Sequence, residues 1–222
     1  MKWYKPTDLH LAPRPRKQPK QSRSVQLVAA IRAACLRILD HEGAAALNTN
    51  RIAEVAGVGV ASVYQYFPNK DAILACVYDE LLQREREAIT LLFREAAARD
   101  SSEALQSLVD YGIDSRRRLL AMAPDFYRKY HREFQLAPGG IARGDDPDSL
   151  DRSMASTGEM FARFGARLRV PNDSSARFIL TRGIGAIIDR AAEDAPALLD
   201  DPAFRAALKD MVVRFLLDSA PP

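Results

Sequence analysis

The stretch from Asn48 to Lys70, NTNRIAEVAGVGVASVYQYFPNK, constrains this chain more than any other. Asn48-Thr49 is a helix-start signal, because a short polar side chain can accept a hydrogen bond from an otherwise unpartnered backbone N–H. A short helix is expected from about Thr49 to Ala56, with Ile52, Ala53, Val55 and Ala56 turned inward. Gly57 breaks it and supplies a turn conformation that a side chain would resist. A second short helix is expected from about Val60 to Phe67, and Pro68-Asn69 ends it. Two short helices meeting steeply across a Gly-containing turn make a helix-turn-helix. Ala53 is small where they would cross. Ile52, Val58, Val63 and Phe67 would close a small core against the helix before them.

On this reading the second helix presents Val60, Ala61, Ser62, Tyr64, Gln65 and Tyr66 outward. Val, Ala and two Tyr would be out of place on an ordinary solvent face. On a face that enters a major groove they make sense: Val60 and Ala61 can meet thymine methyls, and Gln65 can read a base edge. The hydroxyls of Tyr64 and Tyr66 can bind phosphates, as can Thr49 and the backbone at the helix start. Arg51 fits a solvated charge as well as a DNA contact.

The charge distribution points the same way. The chain carries a formal +3, yet residues 1–70 hold eleven basic and four acidic side chains, leaving the remainder at −4. A basic first third on an acidic body suits a polyanion partner for that third. Residues 1–22 interleave Pro6, Pro13, Pro15 and Pro19 with basic residues, which prevents a helix and a core. This segment is expected to be a flexible basic arm: either a leader without a role, or an arm that follows the DNA backbone or enters a minor groove.

Helical periodicity covers nearly everything else. From Ser24, residues Val28, Ile31, Cys35, Ile38 and Leu39 recur at spacings of three and four until Gly43. Asn69-Lys70-Asp71 opens a long helix to about Ala98. Further helices are expected near Ser102–Ala121, Pro124–Phe134, Pro147–Leu168, Ser174–Ala192 and Pro202–Leu217, with a loop over Leu136–Asp146 and a turn at Pro171-Asn172-Asp173. No alternating strand pattern occurs, so the expected class is all-α. Three parts are expected: the arm at 1–22, a helix-turn-helix domain at 23–70, and a helical ligand-binding and dimerisation domain at 71–222.

The sequence Ala53-Glu-Val-Ala56-Gly57-Val58-Gly59-Val60-Ala61-Ser62-Val63-Tyr64-Gln65-Tyr66-Phe67-Pro68-Asn69-Lys70 resembles the pattern of the TetR/AcrR family of transcriptional regulators, A-x-x-A-G-V-x-x-x-[ST]-[LV]-Y-x-[YH]-F-x-[NS]-K. The resemblance spans about residues 24–74. It implies a three-helix DNA-binding head, a long fourth helix leading to the body, and a homodimer on a palindromic double-stranded operator. It implies backbone contacts from Thr49, Tyr64, Tyr66 and Lys70, and base contacts from Asn50, Val60, Ala61 and Gln65. Gly59 stands where relatives often carry Ser or Thr, an acceptable cap that brings no hydroxyl to a phosphate. Asn48 stands where Thr is common and can cap equally well.

In the body, the segment Ala176–Ala191 mixes apolar residues with Gly183, Gly185 and Ala186, and small residues let helices approach closely. The last helix, Ala203 to Leu217, is expected to carry Phe204, Leu208, Met211, Val212, Phe215 and Leu216 on one face. These two helices look like the family's dimerising pair, with Ile179, Gly183, Ile187, Phe204, Leu208, Met211, Val212 and Phe215 at the interface; internal core packing is the alternative. A ligand pocket would draw on Tyr111, Met122, Phe126, Tyr127, Tyr130, Phe134, Met154, Met160, Phe161 and Phe164, although such a stripe also suits plain core. Arg117-Arg118, Asp114 and Arg182 are the charged residues most able to turn inward, and Arg182 is carried as a ligand candidate.

Other classes fit poorly. Acid–base catalysis needs a convergent constellation, and His131 beside Arg132-Glu133 is the only hint of one. An interaction module that kept the dimer and lost DNA binding would not need the outward face of the second helix. Cys35 and Cys76 lie in helical patterns outside any C-x-x-C pair and read as reduced residues. His10, His41 and His131 have no metal-ligand spacing, and no cofactor is expected. The N-terminus lacks a signal-peptide apolar run and no stretch suits a membrane span, so a cytoplasmic regulator is the expectation, most simply a repressor released by a small apolar effector.

Overall fold

The computed structural model describes residues 13–17, 19, 21–95, 100–130 and 149–217. Residues 1–12, Phe134, His131 and the expected loop at Leu136–Asp146 lie outside the described residues. Among the described residues, ten α-helices follow one another: α1 Ser22–His41, α2 Thr49–Ala56, α3 Val60–Tyr66, α4 Lys70–Glu95, α5 Ser101–Met122, α6 Pro124–Tyr130, α7 Ser149–Phe164, α8 Ser174–Phe178, α9 Ile184–Asp194 and α10 Pro202–Leu216. The class is all-α. Strand-type pairing among the described residues is limited to one bridge between Leu168 and Leu217. No helix among them is long and apolar enough to cross a membrane.

The helix starts are set by side-chain caps at the positions where the sequence offers short polar residues. Asn48 Oδ1 accepts from the Arg51 N–H at 2.9 Å, and Asn69 Oδ1 accepts from the Ala72 N–H at 3.0 Å. Asp173 and Asp201 cap α8 and α10 in the same manner. Gly57 closes α2 with φ +68° and ψ 32°, the left-handed conformation, while the Val58 N–H returns to the Ala53 carbonyl at 3.0 Å. A Cβ at residue 57 would meet nothing within 4 Å, so any cost of a side chain there is purely conformational. Gly57→Val is therefore expected to lower unfolding free energy by about 1–2 kcal/mol, read as a lower urea midpoint at unchanged m, with Gly57→Asn costing less.

The chain divides into two compact units. The first joins residues 1–82 to 119–134, and the second joins 83–118 to 135–222. In the first, Ile31, Ala34, Cys35 and Ile38 of α1 are sealed with Ile52 and Ala53 of α2, Val63 of α3 and Phe67. Ala72, Ile73, Leu74, Ala75, Val77 and Tyr78 of α4 are buried as well. The compact unit therefore runs past residue 70, where the sequence suggested a boundary, and takes in α6. Tyr78 donates to the Leu119 carbonyl at 2.7 Å, its ring lies 4.9 Å from that of Phe126, and Phe126 lies 4.9 Å from Tyr130. Tyr130 in turn donates to Asp71 at 3.1 Å. Cys35 and Cys76 are both free, and burial pushes the Cys35 thiol up to about 12, which keeps it protonated.

In the second unit α5 is the hub. Asp110 and Asp114 face Arg205 and Lys209 of α10, with Lys209 Nζ 3.0 Å from Asp110. Two residues after Asp114, Arg116 pairs with Asp189 of α9, both nearly sealed at 2% and 8% side-chain exposure. Gly112 lets Ile188 approach so closely that a Cβ there would lie 3.1 Å from its Cδ1. The sequence suggested one helix over Ser174–Ala192; instead a π-helical turn at Ile179–Gly183 separates α8 from α9. A π turn rotates the apolar stripe that follows it by about one residue, and the apolar residues on both sides of Ile179–Gly183 are too closely spaced for that shift to stand out.

Candidate nucleic-acid interface

The two faces of α3 are separated by residue spacing. Val63, Tyr66 and Phe67, related by steps of three and four, are buried at 0%, 8% and 0% exposure. Ala61, Tyr64 and Gln65, related the same way, are exposed, Tyr64 at 42%. Val60 and Ser62 are half-buried at the flanks. The outward orientation expected for Tyr66 is thus corrected. Residues two apart on an α-helix point about 200° away from each other, so Tyr64 and Tyr66 cannot share one face. Tyr66 instead packs inward, with the Lys17 ammonium 4.7 Å above its ring centroid and its carbonyl accepting from the Arg16 N–H at 2.7 Å.

Around α3 the remaining candidates fall into distinct situations. Asn48 is exposed and its side chain is engaged as the cap of α2. Thr49 is half-buried and Asn50 exposed. Gly59 precedes α3 in an extended conformation and offers no side-chain cap. Lys70 is exposed and donates to the Leu47 carbonyl at 3.3 Å, which steers its ammonium toward the start of α2. Arg51 is committed within the protein: its guanidinium holds Glu42 at 2.8 Å and Glu54 at 2.8 Å, and this contact holds the Glu42 carboxyl below its ordinary range. Arg37 donates to the Val55 carbonyl at 2.9 Å, tying α1 to the end of α2. The surface that remains is a short helix face of Ala61, Tyr64 and Gln65 bordered by Asn50 and Lys70. It carries aliphatic contact area, one amide able to donate and accept together, and one phenol.

The candidate pocket residues do not form one group. Phe126, Tyr127 and Tyr130 are buried in the first unit within the aromatic cluster described above, with Met122 half-buried. Tyr111, Met154, Phe161, Phe164 and Arg182 belong to the second unit. There Phe161 and Phe164 are buried, and Tyr111 donates to Glu85, which also holds Arg118 at 3.1 Å. Desolvation and this carboxylate raise the Tyr111 phenol to about 12. Arg182 sits in the π turn with its Nε enclosed and unpartnered, and burial lowers its pKa.

The expected dimer residues separate by face. Ile179, Ile187 and Met211 are exposed at 48%, 38% and 44%, beside Phe178 at 52%, while Gly183, Phe204 and Phe215 are half-buried. Leu208 and Val212 are corrected: at 4% and 2% exposure they sit inside the protomer's own core with Leu216, on an i, i+4 ladder. Met211 lies on the other side of the same helix.

Residues 31–77 match the family model described as bacterial regulatory proteins, tetR family. No curated protein matches. Among solved structures, a TetR-family transcriptional regulator from Pectobacterium atrosepticum is similar over 91% of this chain and 100% of its own, at 14% identity and TM-score 0.59. A TetR-family regulator from Mesorhizobium loti covers 89% and 100% at 19% identity and TM-score 0.48. SmeT in complex with triclosan covers 90% and 94% at 18% identity and TM-score 0.48. The matched segment runs from the core of α1 through the first two turns of α4 and contains the whole capped, Gly57-turned pair whose outer face has just been described. On that match and that motif, residues 31–77 form a domain of the kind found at the start of bacterial regulatory proteins of the tetR family, and α2–α3 is its helix-turn-helix.

Proposed function

We propose that the chain is a repressor that binds a palindromic operator as a homodimer and leaves it when a small apolar effector enters the second unit. The observation that carries the DNA reading is the division of α3 into a sealed face and an outward face of Ala61, Tyr64 and Gln65. In that reading Gln65 contacts a base edge, Val60 and Ala61 meet methyl groups, and Tyr64 with Thr49 and Lys70 holds phosphates. The homodimer reading is supported by large apolar side chains left exposed in the second unit: Phe178 at the end of α8, Ile179 in the π turn, Ile187 on α9 and Met211 on α10. Release is assigned to α4, a continuous helix from Lys70 to Glu95 that contributes to both units, as the element an effector would bias.

Selection from a pool of random duplexes tests the reading. The wild-type chain is expected to enrich an inverted repeat whose half-sites lie about one helical turn apart, roughly 34–36 Å, or a multiple of it. Met211→Glu places a charge in the proposed interface. It is expected to give a monomer in sedimentation velocity and to abolish enrichment of the paired motif while leaving the fold intact. Enrichment of no motif, or a wild-type monomer, contradicts the proposal.

A further inference from the structure

The recognition helix Val60–Tyr66 carries no charged residue, so the cations that a polyanion needs must come from its surroundings. Two nearby arginines are otherwise engaged, Arg51 by Glu42 and Glu54, and Arg37 by the Val55 carbonyl. The proline-rich segment before α1 fills that gap in an ordered way. Pro13 and Pro15 are half-buried, whereas Arg14, Arg16 and Lys17 are exposed, and the chain bends at Arg16 and Lys17. The Arg16 N–H donates to the Tyr66 carbonyl at 2.7 Å, at the C-terminal end of α3 where helix carbonyls lack intrahelical partners. Lys17 stands over the Tyr66 ring at 4.7 Å. Downstream, the reciprocal bonds of Gln21 and Ser24 fix the start of α1.

From this geometry we infer that Pro13–Lys17 is a built part of the DNA interface, which carries Arg16 and Lys17 onto the phosphate backbone of the duplex beside the groove read by Gln65. The inference rests on the duplex reading above. The tie to Tyr66 also gives that tyrosine a role from its inward position: it anchors the arm to the end of the reading helix. Because the segment is already docked, less conformational freedom is lost on binding than with a free arm. Phosphate contacts of this kind add affinity equally to all sequences and leave base preference alone.

The test is a salt titration by fluorescence anisotropy. The probe is a fluorescein-labelled duplex of about 30 bp that the wild-type chain has selected from a random pool, long enough for two half-sites one turn apart. Wild type, Arg16→Gln/Lys17→Gln and Gln65→Ala are compared, each checked by thermal melting. Each neutralised phosphate contributes about 0.9 to the slope of log K against log salt, so losing two cations from each of two protomers is expected to flatten it by about 3–4. Affinity at about 150 mM salt should fall at least tenfold with base preference unchanged. A double variant with the wild-type slope overturns the inference, whether its affinity is unchanged or reduced, since a loss without a slope change means that the arm only props α3. If that happens while Gln65→Ala loses preference for the selected duplex, the duplex reading stands and the arm inference alone fails. If wild type shows no preference among duplexes, the reading itself fails and the inference with it.

Discussion

Asp189→Ala is expected to destabilise the second unit by about 3–5 kcal/mol, read as a fall in Tm of roughly 10 °C. The side chains of Arg116 and Asp189 are exposed by only 2% and 8%, and both the Nε and Nη2 of Arg116 reach the same carboxylate oxygen. Arg116 Nη1 already lacks a partner, so the carboxylate is what compensates for burying the guanidinium. Removing it leaves a charge enclosed by α5 and α9 with nothing to balance it. The pair itself adds little net stability over apolar residues of similar volume, so Arg116→Met/Asp189→Leu should recover most of the loss. Equal losses in the single and double variants would mean that shape, not charge, sets the cost.

The second large effect concerns binding. Gln65→Ala and Tyr64→Ala should each leave Tm within about a degree or two, because both residues are exposed. Binding should respond strongly. An amide paired in bidentate fashion with a base edge discriminates by about 1–3 kcal/mol, and a homodimer uses it twice, so Gln65→Ala should weaken operator binding by about 2–6 kcal/mol and relax preference at one base of each half-site. Tyr64→Ala should weaken binding to all duplexes about equally, as a phosphate contact does. Phe67→Ala is the contrasting control: a fully buried side chain whose loss damages the fold first and binding only as a consequence.

The head was legible because its signals are local. Asn48 and Asn69 cap the helices they precede in sequence, and Gly57 adopts the left-handed turn that its lack of a side chain permits. Tyr66 was also within reach, since the spacing Val63, Tyr66, Phe67 marks one face, but its aromatic likeness to Tyr64 obscured the period. The signal for the docked arm was likewise present in the alternation Pro13-Arg14-Pro15-Arg16-Lys17. The body was harder because its decisive contacts are distant in sequence. Nothing local says that Phe126 and Tyr130 would join the unit of Tyr78 and Asp71. Nothing local pairs Arg116 with a carboxylate 73 residues away. In α10 a crowded apolar run concealed two faces, Leu208, Val212 and Leu216 turned inward and Met211 outward.

The most direct measurement is the equilibrium affinity of the wild-type chain for a duplex it has selected, set beside a scrambled duplex of equal length and composition at one salt concentration. If α3 presents a base-reading face, the selected duplex binds at least about 1,000-fold more tightly, and Gln65→Ala reduces that ratio while remaining folded. Equal affinity for the two duplexes, or a ratio indifferent to Gln65, would contradict it.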